Sequence, residues 1–214
     1  MRGLDRYYIL YTFLNIFGLP VLLRLSVQAF FLEAMSPEVN IRQYMDVNYY
    51  GCVNTTIAAL PHLQKTNGVI CVVSSLGGLM PFPRQTLYNG SKYALMGFYD
   101  TLRMELQAKG SGVSISMICP GFVKTGITTG GGLGKDGKPI GIALDKASPI
   151  PMISAKQCAQ DIAKAINSRK KLVITPYWYK PMYYLHKFFP GVVQKLLNTV
   201  FAPPPKKKKA SGPA

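Results

Sequence analysis

Apolar positions follow two rhythms along this chain. Short continuous runs occur at Val69 to Ser75 (VICVVSS), Val113 to Cys119 (VSISMIC) and Lys171 to Pro176 (KLVITP). Turn residues bound the first two: Asn67-Gly68 and Gly77-Gly78 around one, Pro120-Gly121 after the other. Runs of that length predict buried strands. Longer stretches between them predict helices over Met35 to Leu63, Tyr88 to Lys109 and Ser154 to Lys170. Ser36-Pro37-Glu38 reads as the start of the first helix and Leu60-Pro61 as a point near its end. Gly110 closes the second, and Ser154 caps the third. Ala155, Cys158, Ile162, Ala165 and Ile166 form a helical stripe in the third. Helices alternating with short apolar strands predict an α/β fold with a parallel sheet. Thr125 to Ile150 is rich in Gly, Lys and Pro without a period, and predicts a long loop.

The two ends break this rhythm. Tyr7 to Leu25 is the most hydrophobic stretch, interrupted by Asn15, Gly18 and Pro20. It is borderline in length for a bilayer core of about 20 apolar residues. Tyr177 to Phe201 is aromatic, basic and apolar. Two readings stand for it: a membrane-interface segment with its lysines outward, or a helix closing over a substrate pocket. Pro203 to Ala214 (PPPKKKKASGPA) reads as a disordered Lys-rich end.

Composition narrows the class. The chain has 214 residues, 48% of them hydrophobic, enough for one ordinary core and too apolar for a disordered protein. Lys and Arg number 25 against 9 Asp and Glu, a formal net charge of +16. That excess favours an anionic neighbour: a membrane surface, a polyanion or a phosphate-bearing ligand. The positive charge is not organised into a nucleic-acid reader motif, so no nucleic-acid partner is expected. Cys52, Cys71, Cys119 and Cys158 form no CxxC pair, and the histidines are His62 and His186. No metal site is read from them, and buried, reduced thiols are expected.

Chemistry concentrates in the middle of the chain. Tyr88 and Lys92 stand four apart at the opening of a predicted helix, on one face. An ammonium beside a phenol favours the phenolate, which makes Tyr88 a candidate general acid or base. Ser75 ends a predicted strand, where its hydroxyl can enter the crevice at the carboxyl ends of a parallel sheet. There it can polarise a carbonyl. Asn48 in DVNYYG, VSSLGG ending at Gly78, Tyr88-x-x-x-Lys92 and Pro120-Gly121-Phe122-Val123-Lys124-Thr125 follow in order, with 13 residues from Ser75 to Tyr88. Together they resemble the short-chain dehydrogenase/reductase family over about residues 31 to 176. AALPHLQKTNGVICVVSSLGG is most similar to its 11-beta-hydroxysteroid dehydrogenases and related membrane-associated reductases.

The resemblance implies an incomplete, doubly wound, Rossmann-like sheet and an oxidoreductase using NADP(H), with NAD(H) as the alternative. The substrate implied is a lipophilic, steroid-like ketone or alcohol. Tyr88 would be the acid/base and Ser75 the carbonyl-orienting hydroxyl. Lys92 would favour the Tyr88 phenolate and bind the nicotinamide ribose. Asn48 would hold a water in a proton relay. Pro120, Gly121, Val123 and Thr125 would border the nicotinamide, and the loop from Thr125 would be a substrate lid. The helices around Asn48 and Tyr88 would form a homodimer face. The implied location is the endoplasmic reticulum membrane or another membrane surface, with cytoplasm as the alternative.

The same resemblance exposes a gap. Only Gly3 and Gly18 precede Asn48, so no glycine-rich phosphate turn stands ahead of it. Little cofactor affinity is expected of the chain as it stands, which leaves a catalytically inactive, membrane-associated fragment or interaction protein as the alternative. Residues 5 to 30 read either as a membrane segment or as a retained intron translated in frame. Val69 to Ser75 would lack the strand that normally covers it, leaving an open apolar edge and a chain prone to associate.

Overall fold

A computed structural model describes residues 11–13, 21–24, 41–83, 85–125, 132–133, 139–140 and 151–201. In chain order these form β1 (Tyr11–Phe13), β2 (Val21–Arg24), α1 (Ile41–Met45), a π-helical turn (Asp46–Tyr50), α2 (Gly51–Thr66) and β3 (Val69–Val73). A 3-10 turn (Leu76–Gly78), α3 (Thr86–Ala108), β4 (Ser114–Pro120), β5 (Val123–Lys124), β6 (Gly132–Leu133) and β7 (Pro139–Ile140) follow. The remainder is β8 (Ile153–Ser154), α4 (Ala155–Asn167), β9 (Leu172–Thr175), α5 (Tyr179–Phe188) and α6 (Pro190–Val200).

The main sheet runs β1-β2-β3-β4-β9, parallel throughout except for the antiparallel β1–β2 pair. The three strands predicted from apolar runs are therefore adjacent. All five residues of β3 are buried, as expected of a central parallel strand covered on both faces. Alternate residues serve opposite layers. Ile70 and Val72 pack with Cys52 and Leu63 of α2 and with Leu95, Tyr99 and Leu106 of α3. Cys71 faces the other way, with Ile118, and meets Ala165, Ile162 and Ile166 of α4. Helices on both faces make the sheet doubly wound.

One expectation is overturned. Val69 to Ser75 is not an open edge, because β2 pairs with β3 in parallel, Val21 opposite Ile70 and Leu23 opposite Val72. The cause lies in the apolar N-terminal stretch. Its Val21-Leu22-Leu23 run supplies backbone partners that β3 would otherwise lack. The parts of Tyr7 to Leu25 that are described are these two short strands, and among the described residues no helix is long and apolar enough to cross a membrane. Pro61 lies near the end of α2, as expected. It sits exposed inside the helix, which runs on to Thr66 and closes through Asn67 in the left-handed region at φ 50°. Buried Leu63 holds that last turn to the core.

At the carboxyl end of the sheet a third apolar cluster forms. Leu76, Met80 and Phe82 from the β3–α3 connection meet Cys119 and Ile174 of the strands and Tyr179, Val193 and Leu197 of the tail helices. Tyr177 to Phe201 is thus a helical pair laid over the end of the sheet where the candidate residues gather. Most of the predicted loop from Thr125 to Ile150, and the Lys-rich end, lie outside the described residues. Within the loop, β6 pairs with β7 as a short antiparallel ladder.

Candidate active site

Strand β3 delivers the chain to the site and α3 brings it back. Ser74 leaves the strand with its amide donating to the Ile118 carbonyl. Ser75 is extended, and its Oγ accepts a 3.1 Å hydrogen bond from the Gly77 amide, capping the 3-10 turn. It is half-buried between fully buried neighbours. Two glycines let this turn approach α3. A Cβ on Gly77 would lie 2.5 Å from Asn89 Oδ1 and 3.4 Å from Tyr88 Cε1. A Cβ on Gly78 would lie 2.8 Å from the Lys92 carbonyl and from Ser74 Oγ. The Ser75 turn is therefore packed directly on the helix that carries Tyr88 and Lys92.

That helix begins at Thr86, so Tyr88 falls in its first turn and Lys92 one turn later, as the spacing predicts. Both are buried, Lys92 at 1% exposure. The Lys92 Nζ lies 5.6 Å from the Tyr88 ring centroid and donates to the Val73 carbonyl at 3.5 Å. An ammonium this deep is costly unless its charge is compensated by dipoles, rings or a bound polar group.

Asn48 reaches the same helix from the other side. It is fully buried in the π-helical turn, and π-bulges often re-aim a side chain at a functional position. Its Nδ2 donates to Ser91 Oγ at 2.9 Å, and Ser91 Oγ donates to the Tyr88 carbonyl at 2.7 Å. Ser91 was not among the residues singled out from sequence. Its only signal was its place inside the Tyr88-to-Lys92 turn. The link makes Asn48 a brace for the first turn of α3.

The strip after β4 stands on the opposite rim. Pro120 closes β4 opposite Thr175, and the Gly121 amide donates to the Thr175 carbonyl at 2.8 Å. A Cβ on Gly121 would fall 2.2 Å from the Tyr179 ring, so glycine is what admits α5 here. Val123 pairs with Ile153, and Thr125 is half-buried at the end of this strip. Phe82 and Phe122 meet edge to face at 6.2 Å, joining the Ser75 side to the Gly121 side. Tyr179 is the second residue missed from sequence. An aromatic in an aromatic tail carries no local sign that a glycine 58 positions earlier receives it.

All four cysteines are buried and outside any disulfide. Burial pushes the Cys119 thiol up to about 12, against the pull of the Lys92 ammonium, so it stays a neutral packing group. A hollow of about 540 Å³ lies elsewhere, between α4 and β9, bordered by Gln157, Asp161, Lys164 and Trp178 and by none of Ser75, Tyr88 or Lys92.

The donor set fits the nicotinamide-ribose end of a dinucleotide. A buried ammonium and a phenol at the carboxyl ends of parallel strands can both donate to sugar hydroxyls. For the phosphate and adenine end, the described residues offer no glycine-rich helix N-terminus.

A buried Tyr-Lys pair one turn apart, with a serine turn packed against it, thus sits on a doubly wound parallel sheet. The family described as short chain dehydrogenase matches residues 26–132. The chain belongs to the short-chain dehydrogenase family. An 11-beta-hydroxysteroid dehydrogenase of Pinus massoniana is 30% identical over 176 residues, covering 81% of this chain and 49% of that protein. The 11-beta-hydroxysteroid dehydrogenase 1A of Arabidopsis thaliana is 34% identical over 154 residues, covering 70% and 43%. The chain therefore spans about half the length of the curated relatives it matches. A short chain dehydrogenase from Burkholderia cenocepacia, solved in complex with NADP, superposes with a TM-score of 0.66 at 20% identity, covering 86% of this chain and 69% of that one. That likeness establishes the shared fold.

Proposed function

We propose that the protein transfers hydride between NADP(H) and a lipophilic ketone or alcohol of steroid type. The observation that carries this is the buried Tyr88-Lys92 pair with the Ser75 turn packed against it through Gly77. In the reducing direction the Ser75 hydroxyl donates to the substrate carbonyl oxygen and orients it. Tyr88 gives its phenolic proton to that oxygen as the alcohol forms. The Lys92 ammonium stabilises the phenolate left behind. Asn48 and Ser91 hold the helix turn that aims both groups, and Asn48 holds the water that returns a proton to the pair. Tyr88 and Lys92 would hold the nicotinamide ribose, and Pro120, Gly121, Val123 and Thr125 would border the ring. When bound, the cofactor supplies or accepts the hydride at the carbonyl carbon. The partly buried Phe122, packed on Phe82 at the rim after β4, favours a lipophilic substrate.

A second reading makes the chain a non-catalytic member that pairs through α2 and α3. Exposed Ile57 on α2 and Met104 on α3 favour a protein face there, with a second copy or a longer relative as its partner. Calorimetric titration of NADPH separates the readings. A micromolar Kd supports the oxidoreductase. No heat, together with an α2–α3 dimer in sedimentation, supports the second reading and removes the first.

A further inference from the structure

One concave surface lies apart from the Tyr88 chemistry. The hollow of about 540 Å³ follows the groove between α4 and β9. That volume is in the range that holds a small organic molecule. The chain reverses between Ser168 and Lys171, so α4 runs back along β9, and Asp161 meets Thr175 at the strand's far end. The two ends of the groove differ in chemistry. At the far end stand Tyr177 and Trp178, edge to face at 5.5 Å, with 73% and 40% of their surface open. Such rings beside a hollow give an aromatic ligand faces and edges to pack on. Toward the near end are Lys164 and Lys170. Between the ends the floor is apolar, formed by Ala165 and Val173.

Charge selects the sign of the ligand. Asp161 is the acidic residue that lines the groove. Its carboxylate is engaged by neutral donors: Thr175 Oγ1 donates to one oxygen, and Gln157 Nε2 donates to the other at 3.1 Å. Thr175 is buried, which ties that carboxylate to the groove floor. Among the described residues neither Lys164 nor Lys170 is in an ion pair. Two ammonium groups against one carboxylate already held by other donors leave a positive end. Length sets the shape. Gln157 and Ser168 both line the groove and stand about three turns apart, roughly 16 Å along the helix, so an elongated body fits better than a compact one.

We propose that the α4–β9 groove binds an elongated organic anion, with an aryl or fused-ring body against Tyr177 and Trp178 and a terminal carboxylate at Lys164 and Lys170. Ala165 and Val173 take the apolar middle of such a ligand. The site shares no residue with the Ser75, Tyr88 and Lys92 constellation, and the binding does not depend on the catalytic reading.

The sole tryptophan, Trp178, lines the groove and is a built-in reporter. The test titrates 1-pyrenebutyrate, a fused-ring body with a terminal carboxylate, into the full chain and follows energy transfer from Trp178 to pyrene. Binding should saturate at one probe per chain with a micromolar Kd. The neutral analogue 1-pyrenebutanol should bind about tenfold more weakly, the loss expected of two partly exposed charge contacts. The double variant Lys164→Gln, Lys170→Gln changes exposed side chains and should keep its unfolding midpoint. It should lose the same factor toward pyrenebutyrate and bind pyrenebutanol as the parent does. The pair Phe188→Ser, Leu196→Ser, exposed on the tail helices and outside the groove, should bind pyrenebutyrate as the parent does. Four outcomes overturn the proposal: no saturable transfer, equal affinity for the two probes, loss of binding in the Phe188 and Leu196 variant, or a dimer through α4 and β9 that shuts the probe out.

Discussion

Two regions of this molecule invert the usual distribution of side chains, in opposite directions. Around the first turn of α3, polar groups go inward: Asn48, Ser91 and Lys92 are all at most 1% exposed. Along the outer face of α5 and α6, large apolar groups go outward. A buried amide or ammonium costs several kcal/mol unless its hydrogen bonds and charge are met, whereas an exposed Phe forgoes about 2 kcal/mol of burial. The inward inversion is braced at every side, through Asn48 to Ser91, Ser91 to the Tyr88 carbonyl and Lys92 to Val73. The outward one has no such bracing. The contrast separates polar groups held by the chain's own packing from apolar groups that the described residues leave uncovered.

Substitutions can break this contrast, and the largest effect belongs to the braced site. Tyr88→Phe removes one hydroxyl and leaves the ring on Gly77, so turnover should fall about 10²–10⁴-fold with the unfolding midpoint unchanged. Retained turnover would remove Tyr88 from the proton path. Gly78→Ala forces a methyl to within 2.8 Å of the Lys92 carbonyl. It should cost about 1–3 kcal/mol in urea unfolding, and an unchanged midpoint would show that the turn is not pressed on α3.

Alkaline pH sharpens the comparison less strongly. Burial raises Cys71 and Cys119 from 9.0, and Tyr179 from 10.0, each to about 12. The unfolded chain then releases these protons first. Stability from these groups is whole below about 9 and is lost as pH climbs toward 12. The urea midpoint should fall steadily across that window, and a flat profile would contradict the burial of these groups. The smallest effect is in the tail. Gly191, in the first turn of α6, has nothing within 4 Å of an added Cβ. Gly191→Ala should therefore stabilise by about 0.4–1 kcal/mol. The same change would carry opposite signs in the two regions, and a loss at Gly191 would mean that this face is already covered.

The parts legible in the sequence are those that local pattern controls. Apolar runs between turn residues placed β3, β4 and β9 within one or two residues, and the i, i+4 spacing put Tyr88 and Lys92 on one buried face. What escaped was set by distant partners. The Val21–Leu23 run is short, follows Pro20, and looks like membrane sequence until its pairing with β3 is known. Ser91 gains meaning only when Asn48 arrives from another helix, and the close approaches to Gly77, Gly78 and Gly121 come from Asn89, Lys92 and Tyr179 on distant elements. The predicted helix end at Leu63 falls three residues short, because α2 closes only after Thr66, at Asn67 in the left-handed region.

The most direct test of the central claim is isotope transfer. The chain is incubated with NADPH carrying deuterium at the transferring position and with a lipophilic cyclic ketone, and the alcohol is analysed by mass spectrometry. The account predicts deuterium on the carbinol carbon with the parent chain, and loss of that product with Tyr88→Phe. A folded parent chain that binds NADPH yet forms no labelled alcohol from any ketone of that class would contradict it.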